Sequence, residues 1–362
     1  EINQNFDLCR LFSKEYGTFI VEIDENIEGE LLGVTVSDPT ISWNGHTLSL
    51  EELRSVWEKP LESVFPMKAP GVGENVYRAP EYDIRPAVSH SSVRFAKPKV
   101  VIPVFPGTNC EYDTAKAFMK AGADPKIVVL RNITSTALEE SLEELKNAID
   151  GSQIMMIPGG FSGGDEPDGS GKFITVVLRN PLISEAVENL ISARDGLILG
   201  ICNGFQALVK SGLLPYGHIM SEMRTDSPTL TFNTIRRHQS MMVTTRIASV
   251  KSPWLAGVNV GDLFTIPISH GEGRFVASDD LLEKLEKNGQ IATQYTDREG
   301  VPTTDIRFNP NNSVLAIEGI LSPDGRIFGK MGHSERTGKD IARNIPGEKD
   351  QKLFESGVKY FD

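Results

Sequence analysis

Cys202 sits in the stretch of the chain whose residue types and spacing best describe a nucleophile. Residues 196–201, Gly-Leu-Ile-Leu-Gly-Ile, form an apolar run, and Cys202-Asn203-Gly204-Phe205-Gln206 follows to complete Gly-x-Cys-x-Gly-x-Gln. That order predicts a strand, a sharp turn carrying the cysteine, and a helix over 203–211. A nucleophile on such a turn is presented at a helix N-terminus, where the positive end of the helix favours thiolate over thiol. Gly200 and Gly204 let the turn close without Cβ clashes. The ordinary alternative is a cysteine buried for packing alone; the flanking glycines argue against it.

A thiol that attacks an amide needs a base to accept and return its proton, and the base needs a partner to orient it. The chain has six histidines. His46 and His90 precede the region around Cys202, and neither His218 nor His238 has an acidic residue two positions on. Two histidines do: His270-Gly271-Glu272 and His333-Ser334-Glu335. Both pairs follow expected strands, and spacing alone does not choose between them. Amide hydrolysis also builds negative charge on the carbonyl oxygen, which backbone N–H donors stabilise by ~10²–10³-fold each. The Asn203 amide is one natural donor. Gly159-Gly160, just after an apolar run at 153–157, is the natural second. A phosphate-binding loop is excluded there, because Gly171-Lys172 is followed by Phe173 and Glu166 stands five residues before Gly171. Asp165-Glu166-Pro167-Asp168 does not have the spacing of a calcium-binding EF-hand loop. Cys110 precedes a helix but lacks the glycine-flanked turn, and is expected to be structural.

These residues need a scaffold, and the pattern from Lys97 onward predicts one. Apolar runs at 100–105, 125–130, 153–157 and 196–201 alternate with helical spacing at 112–121, 138–149, 182–194 and 203–211. Strands alternating with helices imply right-handed βαβ units and a mostly parallel sheet, an α/β fold with helices flanking the sheet. Beyond Pro228 the chain turns strand-rich, with runs at 229–234, 241–247, 263–268, 291–295, 314–320 and 327–331. Residues 1–66 are expected to be a small α+β segment, with β-like stretches at 17–23 and 31–36 and a helix at 50–61. Residues 67–97 have the Pro/Gly punctuation of an extended linker, with Pro70, Gly71, Gly73, Pro80 and Pro86. The amidase-like domain then runs over 98–362.

Bulk composition narrows the partners. With 37 basic and 49 acidic residues the net charge is −12, which disfavours nucleic acid and anionic membranes. Cys9, Cys110 and Cys202 are far apart with no C-x-x-C, so neither a zinc site nor a disulfide framework is expected, and a reducing cytoplasmic compartment is. No apolar run approaches the ~20 residues of a membrane helix. The chain begins at Glu1 without a signal-peptide pattern, which suggests a piece of a longer polypeptide.

The 200–206 motif resembles the nucleophile turn of class I glutamine amidotransferases, whose fold is flavodoxin-like. Three further segments resemble phosphoribosylformylglycinamidine synthase: residues 106–111 (Pro-Gly-Thr-Asn-Cys-Glu), 158–165 (Pro-Gly-Gly-Phe-Ser-Gly-Gly-Asp) and 269–275 (Ser-His-Gly-Glu-Gly-Arg-Phe). The likeness spans about 97–340 and selects His333 and Glu335, because 332–336 aligns with the family's Pro-His-Pro-Glu-Arg segment. Gly332 and Ser334 replace both prolines. The resemblance implies glutamine hydrolysis through a cysteinyl thioester by Cys202, His333 and Glu335. It implies an oxyanion hole at Gly160 and Asn203, and glutamine binding by Gln206, Gly159 and Phe161. His270 and Glu272 become loop residues near the glutamine pocket or a domain interface. Residues 1–66, including Trp57-Glu58-Lys59-Pro60-Leu61, resemble the end of the family's synthetase half. That half uses ATP and Mg²⁺ to convert formylglycinamide ribonucleotide to the amidine with the released ammonia. L-glutamine and a synthetase half on the same polypeptide are therefore the expected partners, with no metal in this segment. Service to another synthetase, or a catalytically idle docking module, are the alternatives.

Overall fold

The computed structural model describes residues 1–25, 27–66, 75–86, 90–164 and 170–362. The chain divides into two compact units, Glu1–Lys68 and Ala69–Asp362. The first contains a hairpin of β1 (Thr40–Trp43) and β2 (His46–Ser49), followed by helix α1 (Leu50–Glu62). Asn44-Gly45, both at positive φ, make the two-residue turn that a right-twisted hairpin requires. Ser49 caps α1 by accepting from the Glu52 amide. The stretches 17–23 and 31–36, expected to be β-like, form no strand. Their apolar residues find no ladder to join, and Gly33 makes only an isolated bridge to Ile2. No described residue of 1–66 is buried.

The second unit is an α/β sheet structure. Its elements are β3 (Lys99–Val104), α2 (Glu111–Lys120), β4 (Asp124–Val129), α3 (Ser135–Asp150), β5 (Ile154–Ile157), α4 (Lys172–Leu178), α5 (Pro181–Ser192), β6 (Leu197–Ile201), α6 (Asn203–Ser211) and α7 (Leu213–Tyr216). Then come β7 (Thr229–Thr231), β8 (Gln239–Ile247), β9 (Leu263–His270), β10 (Arg274–Val276), α8 (Asp279–Lys287), β11 (Ile291–Thr296), β12 (Ile317–Leu321), β13 (Ile327–Lys330) and α9 (Leu353–Lys359). Nine strands form one sheet in the order β4-β3-β5-β6-β13-β12-β11-β8-β9. From β4 to β13 every pairing is parallel; from β13 to β9 every pairing is antiparallel. β7 and β10 pair separately as a two-stranded ribbon.

Right-handed crossovers place α2 on one face of the sheet and α3 and α5 on the other. Between the layers β5 and β6 are buried at every position, each aliphatic side chain contributing roughly 1.5–3 kcal/mol by leaving water. Helix starts follow local chemistry: Thr134 caps α3 through the Ala137 amide, and Asn180 caps α5, whose first residue is Pro181. Residues 75–86 run along this unit largely extended, and 90–97 follow with several bends. Tyr82 exchanges backbone hydrogen bonds with Ala248 and Val250, Phe95 donates to the Phe361 carbonyl, and the Arg85 guanidinium reaches the Ala256 and Val258 carbonyls. Among the described residues no helix is long and apolar enough to cross a membrane.

β3 leads through α2 to β4 on one side, while β5 lies on the other. The chain reverses its winding direction there, and in open parallel sheets a crevice forms at the carboxyl ends of such strands. The loops after β3, β5, β6 and β13 carry Cys110, Gly159, Cys202 and His333 respectively.

Candidate active site

β6 ends in the fully buried Leu197–Ile201, and Cys202 turns the chain into α6 with φ 53° and ψ −106°. Such a conformation is strained for any residue with a Cβ, by about 1–3 kcal/mol. The Cys202 amide donates to the Lys330 carbonyl of β13 at 2.8 Å, which ties the turn to the neighbouring strand. α6 lies so close to β5 that a Cβ on Gly204 would stand 2.0 Å from the Ile157 carbonyl oxygen. Strain of this kind makes a stability prediction. Alanine is ordinarily more stable than glycine, but at position 202 the order inverts: Cys202→Gly is expected to be more stable than Cys202→Ala by about 1 kcal/mol. Urea unfolding of the two variants reads the difference, and an alanine variant of equal or greater stability would mean the turn is unstrained.

His333 follows β13, its amide donating to the Pro267 carbonyl at 2.9 Å. Its Nδ1 bonds Glu335 Oε1 at 2.6 Å, with both side chains buried. That bond fixes the proton on Nδ1 and leaves Nε2 for a reacting partner. Burial pulls the His333 imidazole towards neutrality, but the Glu335 carboxylate and bonds to Cys110 and Cys202 outweigh it, so the imidazolium persists well above its usual range. Burial likewise opposes the Glu335 charge, and the adjacent His333 outweighs it, holding the carboxyl below its ordinary value.

Gly159 packs against this cluster. A Cβ there would meet His333 Cε1 at 2.8 Å, Cys110 Sγ at 3.2 Å and Cys202 Cβ at 3.4 Å. The three side chains thus crowd one backbone position, which only glycine can occupy. Gly160 forms an isolated bridge with Thr108, and the Phe161 amide donates to the Gly107 carbonyl, so the loops after β3 and β5 brace each other. Asn203 joins them to α6, its Oδ1 accepting from the Ser162 amide at 3.2 Å. Phe161 is half-exposed, its ring 6.0 Å from that of His238.

The two His-x-Glu pairs, alike by spacing, differ in space. Glu272 does not bond His270: its Oε2 accepts from the Ser170 amide at 2.8 Å, and its carbonyl accepts from Gln206 Nε2 at 2.6 Å. His270 is buried with neither ring nitrogen hydrogen-bonded. Burial, reinforced by His333 and His238, takes its imidazole down to about 3. Its neighbour Ser269 nevertheless borders the nucleophile, the Ser269 carbonyl lying 3.6 Å from Cys202 Sγ. The Gln206 side chain is buried and engaged within the protein, bonding Asn203 Nδ2 at 2.9 Å as well as the Glu272 carbonyl, so it braces the loop after β9 against α6. The segment Asp165–Asp168 lies outside the described residues.

Cys110, expected to be structural, is part of the cluster. Its Sγ lies 3.9 Å from His333 Nδ1, and Arg336 Nη2 donates to it at 3.1 Å. Its place on the loop after β3 is legible in the sequence, but the meeting of that loop with the one after β13 is not. The donor atoms of Cys110, His333 and Glu335 lie within 4.8 Å of one another, a set whose chemistry suits a thiophilic divalent ion. Two of those atoms already bond each other in the His333–Glu335 pair.

Residues 97–361 match the family described as the CobB/CobQ-like glutamine amidotransferase domain. Phosphoribosylformylglycinamidine synthase subunit PurQ of Methanococcus maripaludis is 35% identical over 288 residues, covering 73% of this chain and 98% of that protein. The subunit of the same name from Aquifex aeolicus is 33% identical over 251 residues, covering 69% and 95%. Among solved structures, PurLQS from Thermotoga maritima superposes with a TM-score of 0.53 at 27% identity, over 74% of this chain and all of that one. The chain belongs to the CobB/CobQ-like glutamine amidotransferase family, among the relatives of phosphoribosylformylglycinamidine synthase subunit PurQ.

Proposed function

We propose that this chain is the glutaminase of a phosphoribosylformylglycinamidine synthase in purine biosynthesis, with Cys202 as nucleophile, His333 as acid and base, and Glu335 as the residue that orients His333. The observation that carries it is the buried 2.6 Å His333–Glu335 bond beside the strained Cys202 turn. Cys202 Sγ passes its proton to His333 Nε2 and attacks the side-chain amide carbon of L-glutamine. The electron pair of the carbonyl π bond moves to oxygen, where the amides of Gly160 and Asn203 receive the charge. His333 gives its proton to the leaving nitrogen, the C–N bond breaks, and ammonia departs from a glutamyl thioester. The neutral imidazole then takes a proton from water, hydroxide adds to the thioester carbon, and the C–S bond breaks to release glutamate. Gly159 clears space for the reacting groups, and Phe161 and the braced Gln206 border the pocket.

Ammonia needs a consumer, and a synthetase half on the same polypeptide, binding ATP and Mg²⁺ and converting formylglycinamide ribonucleotide to the amidine, is the partner proposed. The first unit supports that reading: Trp57 is 81% exposed and Phe12, Tyr16 and Phe19 more so, a surface suited to packing within a larger synthetase domain. A cytoplasmic location accords with such chemistry.

A diazo-ketone glutamine analogue tests the reading. Peptide mass mapping is expected to find the adduct on Cys202, blocked by excess glutamine and absent in His333→Ala. An adduct on Cys110 instead, or none on Cys202 in the folded complex with its synthetase, would overturn it.

A further inference from the structure

Beside the histidine loop lies an ion pair that the reaction does not use. Lys330, the last residue of β13, and Glu318 of β12 are both fully buried, with Nζ 3.1 Å from Oε1. Removing two charges from water costs several kcal/mol per ion, so such a pair persists only where hydrogen bonds satisfy its remaining donors and acceptors. Most of those bonds here go to one short segment. Lys330 Nζ donates to the Gly332 carbonyl at 3.0 Å and to Ser334 Oγ at 2.9 Å. Glu318 Oε1 accepts from the Gly332 amide at 2.6 Å, while its other oxygen accepts from Thr293. Ser334 Oγ donates onward to Gln351 Oε1 at 2.6 Å. The pair therefore grips the chain on both sides of His333. A Cβ at position 332 would stand 2.2 Å from Ile266 Cδ1 and 2.9 Å from Glu318 Oε1, so it would displace the clamp's own carboxylate, and a proline would also lack the N–H that Glu318 accepts.

We propose that Lys330 and Glu318 are positioning residues, an ionic clamp on Gly332 and Ser334 that sets the reach of His333 towards Cys202. Glu335 controls the rotation of the ring; the clamp controls where its backbone stands. The inference rests on the glutaminase reading of Cys202 and His333.

The test replaces both charges at once, Lys330→Met with Glu318→Met, because removing only one strands the other in the core. The double variant is expected to fold with a lowered Tm, because the Gly332 amide and carbonyl lose their partners while no unpaired charge is left in the core. Its kcat for glutamine hydrolysis in the synthetase complex, and its rate of Cys202 labelling, should fall about 10²-fold. KM should stay within about threefold, because substrate binding is not what the clamp supplies. The downfield Nδ1–H proton resonance of His333 should broaden or vanish. Ser334→Ala, a smaller change, should fold and lose roughly tenfold in kcat, the worth of one bond to a charged group. A folded double variant with wild-type kcat and an unchanged resonance overturns the clamp. If the double variant fails to fold, a folded Ser334→Ala at the wild-type rate overturns it. A wild type that is never labelled at Cys202 defeats the glutaminase reading instead, and the His333 resonance still tests the clamp.

Discussion

Cys202→Ser is expected to reduce glutamine hydrolysis by roughly 10⁶-fold, the scale seen when a hydrolase loses its nucleophile, with little change in stability. Oxygen is smaller than sulfur, and the Ser269 carbonyl beside Cys202 can accept from a hydroxyl as well as from a thiol. The chemistry suffers for a different reason. A thiol beside an imidazole held cationic can attack as thiolate, whereas an alcohol keeps its proton until the moment of attack. His333, kept protonated by Glu335, is then a poor base for serine. Intact-mass analysis of acid-quenched enzyme should find a glutamyl adduct in the wild type and none in the variant. The same replacement at Cys110 discriminates the two thiols. Cys110 meets His333 on the Nδ1 side, opposite the nitrogen left for the reaction, so Cys110→Ser should cost about tenfold or less. Retention of the adduct in Cys202→Ser, or its loss in Cys110→Ser, would reassign the nucleophile.

The difference between these cysteines marks how far the sequence alone could be read. β6 and α6 were legible because an apolar run, two glycines and a helical repeat all carry local signals, and the strained turn between them follows from the same pattern. The parallel half of the sheet was legible for the same reason, as alternation of periods. The hairpin at 40–49 carries its signal in Asn44-Gly45, whereas the extended pattern at 17–23 says nothing about whether a partner strand exists. Cys110 and the Lys330–Glu318 pair were hidden for a topological reason. β13 inserts between β6 and β12, and only that arrangement brings residues 110, 202, 318 and 333 to one place. The choice between His270 and His333 was undecidable by spacing. In the fold the two pairs differ: Glu272 is drawn to the Ser170 amide, which leaves His270 without a carboxylate, while Glu335 stays on His333.

Glu335→Gln carries the largest pH signature. Glutamine has nearly the same shape but no charge, so the variant tests whether Glu335 acts through its field as well as its geometry. In the native protein the carboxyl lies below 4.5 and the imidazole well above 6.5, so the charged pair spans the range between. The stabilising contribution of Glu335 is present above its unfolded value and is lost as pH falls through its depressed folded value. That of His333 is complete below its unfolded value and is lost as pH rises through its raised folded value. The charged pair therefore stabilises the fold most between the depressed carboxyl value and the raised imidazole value, a window that includes pH 4.5 to 6.5. With glutamine at 335 the largest influence, burial, is opposed only by the bonds to Cys110 and Cys202. His333 should then hold its proton less strongly than in the wild type, and its Nδ1 proton is no longer compelled to stay, since the amide can donate as readily as accept. Turnover is expected to fall about 10⁴-fold, as for other triads that lose the orienting carboxylate. The alkaline limb of the kcat profile should move down towards neutrality, and the wild-type stability between pH 5 and 7 should be diminished. A variant slowed as expected but with its alkaline limb unmoved would mean that the proton on His333 is set by the two cysteines, and that Glu335 serves only to aim the ring.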